Sequence, residues 1–169
     1  MKTLVFFITL TAISLSMAGQ KSAVDDIFDR YNGKEGFTSV YISSRMFSLL
    51  ARIDSEDDEF RNLVTRIKSI RILSIDSAMN VGAINLAADL VPKLNRSGFE
   101  ELMTVREKDG EVWFMIREAG GRIAELVMVT GGQSSSVVSI TGDLDLKTIA
   151  SLSGSMGIDE LENLEKVKK

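Results

Sequence analysis

Four strand-like segments follow one another at short spacing in the second half of the chain. Each is rich in β-branched and aromatic residues, and short turns that contain glycine separate them. Strands joined by such short turns run antiparallel, because a parallel crossover needs about a dozen residues or more. The pattern therefore predicts a four-stranded antiparallel meander. Its strands are expected at residues 101–107, 111–118, 122–130 and 136–141.

The second of these strands carries apolar side chains on both faces. Val112, Phe114 and Ile116 lie on one face, and Trp113 and Met115 lie on the other, since successive side chains of a strand alternate. An antiparallel strand with one solvated face would alternate between apolar and polar residues. This strand is therefore predicted to be central and at least partly covered on each side.

The first half of the chain alternates between helical and strand-like patterns. Apolar residues spaced three and four apart predict amphipathic helices, and β-branched segments predict strands. The helices are expected around Val24–Tyr31 and Met46–Ile53 and from Ser55, as its N-cap, through Ile67, and the strands at residues 36–43 and 70–75.

A further helix is expected from about Val81. Pro92 lacks an amide hydrogen and restricts the residue before it, so this helix is predicted to break or kink near Val91. Two short helices are expected to close the chain, at residues 145–153 and 159–168.

These elements predict a single α+β domain over residues 19–169. Its sheet is largely antiparallel, with the C-terminal four-strand meander plus two earlier strands, and helices pack on one main face. Periodicity assigns four aromatic residues to the core or its margin. These are Tyr31, Phe37, Tyr41 and Trp113.

The first eighteen residues have the pattern of a secretory signal peptide. Lys2 precedes an apolar run of twelve residues, and Ser16-Met17-Ala18 offers small residues for cleavage between Ala18 and Gly19. The run is shorter than the roughly 17–25 residues of a membrane-spanning helix, and no cysteine stands at the cleavage site for a lipid anchor. We expect a soluble exported protein, in the periplasm or outside the cell, without a stable membrane anchor.

Composition excludes several kinds of chemistry. The sequence has no His and no Cys, so it holds no Ser-His-Asp or Cys-His nucleophile, no imidazole or thiolate metal site and no redox dithiol. We therefore expect no enzymatic activity and no cofactor. Without residues 1–18 the net charge is near −5, which disfavours binding to nucleic acid.

Asp143 and Asp145, in T-G-D-L-D-L, are the best-spaced carboxylate pair. They could ligate a hard cation or share acid–base chemistry. The alternative is that Asp145 caps a helix that begins at Leu146, while Asp143 lies in a solvated turn. The cap is the favoured interpretation, because a cation of this type takes about 6–8 oxygen ligands and no further ligands cluster nearby.

Several sequence blocks together resemble a known family. They are G-F-T-S-V-Y-I-S-S-R-M-F, I-R-I-L-S, F-E-E-L-M, A-G-G-R-I-A-E-L-V-M-V and S-I-T-G-D-L-D-L. The chain resembles a family of small exported proteins of Bacteroidetes-type bacteria, classed as a domain of unknown function. The resemblance implies a gene context near extracytoplasmic-function sigma and anti-sigma factors, and no catalytic residues. Such bacteria glycosylate Asp-Ser/Thr-small sites, a pattern that Asp76-Ser77-Ala78 fits at Ser77.

Three functions are compatible with these observations. The first is a non-enzymatic periplasmic module that contacts an unknown protein partner, near the turn at 141–146, in an envelope-sensing or sigma-regulated circuit. The alternative is a carrier of a small apolar ligand between sheet and helices. The least favoured is a hydrolase that uses Asp143 and Asp145, which requires a carboxyl group with a raised pKa.

Overall fold

The computed structural model describes residues 21–53, 58–76, 84–106, 108, 110–132, 135–145 and 148–149. Six predictions lie wholly or partly outside these described residues. They are the signal segment at 1–18 with the Ala18–Gly19 cleavage site, the opening of a helix at Ser55, the glycosylation candidate Ser77, the start of a helix at Val81, the helix at 145–153 and the helix at 159–168.

The described residues form four helices and six strands. The helices are α1 (Ala23–Tyr31), α2 (Ser44–Ile53), α3 (Asp58–Arg66) and α4 (Leu86–Arg96). The strands are β1 (Phe37–Ser43), β2 (Ile67–Ile75), β3 (Glu100–Arg106), β4 (Glu111–Ala119), β5 (Arg122–Thr130) and β6 (Ser136–Leu144).

All six strands join one antiparallel sheet in the order β1-β2-β6-β5-β4-β3. Strands β3 to β6 are neighbours in chain order, so the predicted meander is confirmed, as is the α+β class. Gly120 and Gly121 alone connect β4 to β5, and their φ angles of 61° and 74° suit a type I′ turn, which needs positive φ at both central residues. β1 and β3 are the two edge strands.

Helices cover both faces of the sheet, which corrects the expectation of one main face. One core cluster joins α1 and α4 to Met115 and to alternate residues of β2, β5 and β6. The other joins α2 and α3 to Phe114 and to the remaining inward residues of the same strands. Because the central strands are apolar on both sides, each face needs its own cover, and the predicted two-sided burial of β4 is confirmed.

Helix α4 runs through Pro92 instead of breaking near Val91. Its buried stripe continues on both sides of the proline, with Leu86, Leu90 and Leu94 fully buried. Pro92 is exposed, and so is Ala88, whose carbonyl group would have accepted the missing hydrogen bond. Because Ala88 is exposed, water can hydrogen-bond to its carbonyl group in place of the missing amide. Burial of the leucine stripe on both sides of Pro92 then keeps the helix continuous.

Phe114 and Met115 test the two-sided core, because they are adjacent on β4 and lie in different clusters. Phe114→Ala and Met115→Ala should each lower the free energy of unfolding by about 2–5 kcal/mol, since each leaves a cavity. Urea denaturation measures both, with exposed Glu118→Ala as the control at within about 0.5 kcal/mol. A loss below about 1 kcal/mol for either core variant would contradict cover on that face.

Candidate functional site

Asp143 and Asp145, the carboxylate pair singled out in the sequence, both face arginine side chains. Asp143 Oδ1 accepts a hydrogen bond from Arg122 Nε at 2.7 Å, and Asp145 Oδ2 lies 2.5 Å from Arg66 Nη1. Arg122 also comes within 3.7 Å of Asp145. Two guanidinium groups therefore balance the two carboxylates at the end of β6.

Asp145 also holds the start of a helical turn. Its Oδ1 accepts from the Thr148 amide at 2.7 Å and from the Thr148 hydroxyl at 2.8 Å, the geometry of an N-cap. The amide hydrogen bond, with smaller contributions from that hydroxyl and from Arg66, lowers the pKa of Asp145 to about 2 against the opposing effect of burial. A hydrolase needs a carboxyl group with a raised pKa, and the shift at Asp145 is in the opposite direction.

Metal binding at this pair stays a prediction. Within the part of the chain that the structure describes, no group of three or more acidic side chains is arranged to hold a metal ion. A cation would also have to compete with Arg66 and Arg122 for the carboxylate oxygens.

A second charged cluster lies under α1 and is centred on Glu125, which is only 2% exposed. Its carboxylate accepts from Ser139 Oγ at 2.8 Å and from Arg117 Nη2 at 2.9 Å. Arg71 stands 4.0 Å from it and bonds Asp25 of α1 at 2.6 Å. Every described buried side-chain polar atom has a hydrogen-bond partner, so this cluster is satisfied internally.

Two aromatic rings cover the arginines of this cluster. The Arg71 guanidinium lies 4.9 Å from the Phe28 ring centroid, and that of Arg117 lies 5.4 Å from the Phe99 centroid, a favourable cation–π geometry. Sequence reasoning missed this cluster. The available signal was Glu125, an acidic residue within an otherwise apolar strand.

The exposed large apolar side chains of the described residues all lie on β1 and α2. They are Val40 (40%), Tyr41 (68%), Met46 (49%) and Leu49 (41%). The core assignment of Tyr41 is therefore wrong, whereas Tyr31, Phe37 and Trp113 pack at the margin of the core as expected. Tyr41 is exposed because β1 is an edge strand. Helix α4 packs over β3, β5 and β6, which lie toward the opposite edge of the sheet.

The two edge strands differ in chemistry. β3 carries Glu100, Glu101 and Arg106, and its pairing with β4 shifts register between Glu101 and Met103. Charges and bulges of this kind block the addition of another strand. β1, with the sequence F-T-S-V-Y-I-S, has no charged residue and pairs with β2 in one unbroken register from Phe37 to Ser43. Among the described residues, β1 is thus an uncharged edge strand in which no bulge interrupts the pairing.

Helix α2 presents a second exposed surface. Phe47, Leu50 and Ala51 pack toward the sheet, so the helix turns Met46 and Leu49 outward. Arg45 and Arg52 share that outer side, since residues 45, 49 and 52 are four and three apart. We call Arg45, Met46, Leu49 and Arg52 the α2 stripe; its arginines form no ion pair with any described residue.

Comparison with known proteins gives one match. A family model described as a domain of unknown function (DUF4252) matches residues 31–152, which include all six strands and α2 to α4. No curated protein and no solved structure matches the chain. No helix of the described residues is long and apolar enough to cross a membrane.

The pKa of Asp145 predicts a pH-dependent contribution to stability. Because the folded pKa is lowered to about 2, this contribution is present above about pH 4 and is lost as the pH falls toward 2. The difference in unfolding free energy between wild type and Asp145→Asn should therefore shrink over that interval. Urea denaturation at a series of pH values measures it.

Asp143→Asn is the matched control for this experiment, because its exposed ion pair is expected to contribute less than about 1 kcal/mol at any pH. A difference between wild type and Asp145→Asn that stayed constant from about pH 7 to pH 2 would contradict the assignment.

Among the charged residues of the sheet, buried Glu125 is expected to be the one whose removal costs the most stability. Glu125→Ala should lower the unfolding free energy by about 2–4 kcal/mol, because Arg117 and Ser139 lose a buried, charge-assisted partner. Thermal or urea unfolding measures this, with exposed Glu118→Ala again as the control. A loss under about 1 kcal/mol would show that water replaces the carboxylate without penalty.

Proposed function

The chain belongs to the DUF4252 family, which is described as a domain of unknown function, and we propose that it is a non-enzymatic binding module that contacts a protein partner through β1. The observation that carries this proposal is the uncharged edge of β1, which pairs with β2 in an unbroken register and carries the exposed side chains of Val40 and Tyr41. The charged, irregular edge of β3 supports the choice of β1 over β3 as the contact edge.

The occupant of β1 in this proposal is an extended segment of the partner. An edge strand carries backbone N–H and C=O groups that no neighbour pairs, and an extended peptide satisfies them by adding a strand. Side chains on such an added strand would meet Val40 on the α2 side of the sheet and Tyr41 on the other. Because β1 carries no charge, the segment that fits it is uncharged and rich in β-branched or aromatic residues.

This location differs from the turn at 141–146 that the sequence had suggested for the partner. The carboxylates of that turn already bind Arg66 and Arg122, so they have fewer free groups to offer. On β1 the groups available to a partner belong to the backbone, and no side chain of the described residues hydrogen-bonds to the backbone of this strand.

The proposal places the module outside the cytoplasm. Its support is the signal-like pattern of residues 2–18, which gives an exported chain beginning at Gly19. A role in envelope sensing or sigma-factor regulation belongs to the same proposal and is supported by the family resemblance of the sequence blocks.

Two observations support a non-enzymatic role. The sequence lacks His and Cys, and the described acidic clusters are engaged by arginines and hydroxyl groups.

The carrier alternative stays a prediction. Its motivation was a sheet that is apolar on both faces, and helices on both faces account for that pattern without a ligand.

Cross-linking tests the β1 contact. The photo-reactive amino acid p-benzoylphenylalanine replaces Tyr41, which is an exposed aromatic position, and the chain is irradiated in an envelope extract. Mass spectrometry identifies the cross-linked segment, which is then synthesised and titrated against the purified chain. We expect saturable binding with protection of the amides of residues 37–43 from hydrogen exchange.

The same substitution on each edge gives the matched control. Thr38→Lys places a charge on β1 and should weaken binding of the synthesised segment about tenfold or more, whereas Thr104→Lys on β3 should leave it unchanged. Equal effects of the two lysines, or a cross-linked segment that shows no affinity for the chain, would refute the proposal.

A further inference from the structure

Strand β1 has the composition that it favours in a partner segment. Its sequence F-T-S-V-Y-I-S contains no charged residue, and five of its seven residues are β-branched or aromatic. Residues 38–41 are all exposed, so the strand is accessible along most of its length. Since β-branched and aromatic side chains pair favourably across adjacent strands, β1 of a second copy of the chain is a segment that fits this edge.

Symmetry restricts how two β1 strands can pair. A two-fold axis perpendicular to the sheet relates two antiparallel strands and keeps each face of the sheet on the same side in both copies. Residues directly opposite each other in an antiparallel pair also share a face, so an even-numbered residue of β1 can lie opposite only another even-numbered one. Among the registers that satisfy this condition, the one with Val40 opposite itself pairs all seven residues of the strand.

Every cross-strand pair in this register is uncharged. The pairs are Val40 with Val40 and Thr38 with Ile42 on the α2 side of the sheet, and Ser39 with Tyr41 and Phe37 with Ser43 on the other side. Like charges directly opposite each other would destabilise the pairing, and β1 has none. Tyr41, which is 68% exposed in the single chain, lies within the joint.

The start of α2 does not oppose this pairing. Helix α2 begins at Ser44, directly after β1, and packs on β1 and β2. In the two-fold arrangement the two Ser43 residues lie at opposite ends of the joint, about 20 Å apart along the strands. Arg45 is therefore separated from its counterpart by more than the Debye length of about 8 Å at physiological salt, and the repulsion between them is screened.

We propose that a second copy of the chain occupies β1, so that two six-stranded sheets join into one continuous sheet. This inference rests on the proposed function, because the second copy uses the same edge as the partner segment. The two occupants exclude each other, so the dimer protects β1 until a partner segment displaces the second copy. An interface built on one short strand per copy is small, and interfaces that bury less than about 1,200 Å² are weak. We expect a dissociation constant of about 10 μM.

Sedimentation velocity over a range of concentrations tests the dimer. The purified chain should pass from monomer to dimer near about 10 μM. Thr38→Lys places a charge opposite Ile42 and should raise the dissociation constant about tenfold or more, whereas Thr104→Lys on β3 should leave it unchanged. A chain that stays monomeric up to about 500 μM, or a dimer that Thr38→Lys leaves intact, would overturn the inference.

Single cysteines test the register, because the native sequence contains no cysteine. Val40→Cys places two thiols directly opposite each other, with Cα atoms about 4.5–5.5 Å apart, which suits a disulfide. Ser39→Cys, also exposed, is the matched control, since its counterpart lies about 8 Å away. Under mild oxidation, Val40→Cys should form the intermolecular disulfide about tenfold faster or more. Equal rates for the two variants would contradict pairing about Val40.

A mixture of Ser39→Cys and Tyr41→Cys chains gives an independent measurement with Val40 unaltered. These positions lie opposite each other in the joint, so the mixed disulfide should form about tenfold faster than either disulfide between identical chains. A monomeric chain would overturn the dimer and leave the partner proposal standing, since a segment of another protein can still add to β1. A cross-linked segment without affinity would refute the partner proposal and leave the sedimentation result unchanged, so the two proposals fail separately.

Discussion

The central sheet is apolar on both of its faces, and the rest of the architecture depends on that constraint. Phe114 and Met115 are adjacent on β4, yet both are buried. Neither face can be left to water, because burial of each large apolar side chain contributes about 1.5–3 kcal/mol. The helices are consequently divided between the faces, α1 and α4 on one and α2 and α3 on the other.

This division leaves the edges of the sheet to be protected by other means. β3 is protected by its own charges and by a register shift, whereas β1 has neither. α2 packs on β1 and β2 from one face but leaves the outer side of β1 open. The four exposed large apolar side chains lie on β1 and α2, where no other described element covers them. The binding surface we propose therefore follows from the placement of the helices, which pack on the two faces of the sheet and not along the edge of β1.

Local patterns predicted the elements of this fold well. Turn residues and β-branched segments located all six strands, and the two-sided pattern of Trp113 and Phe114 identified a covered central strand. Two of the features that escaped prediction depend on tertiary packing. Pro92 is tolerated since the buried leucines on either side of it hold α4 together, and Tyr41 is exposed because β1 is an edge, which no local pattern reveals.

The candidate site was less predictable, for a related reason. The cap at Asp145 follows from short-range spacing, and the sequence identified it. The cluster around Glu125 joins residues of α1, β2, β4, β5 and β6, and only strand order brings them together. A carboxylate in an apolar strand indicates that the strand carries a charged or hydrogen-bonding partner nearby. Arg117 can be identified as that partner, among the other arginines, only once β4 is known to pair with β5.

The Glu125 cluster has a consequence for how the strands find their alignment. A strand that is apolar on both faces loses little burial when it slides by one residue, so hydrophobic patterning alone specifies its register weakly. Arg71, Ser139, Glu125 and Arg117 span four adjacent strands on a single face. A one-residue slip of β5 would carry Glu125 to the opposite face, among apolar side chains and away from both arginines. The charged row thus favours a single register for strands whose register the hydrophobic pattern specifies only weakly.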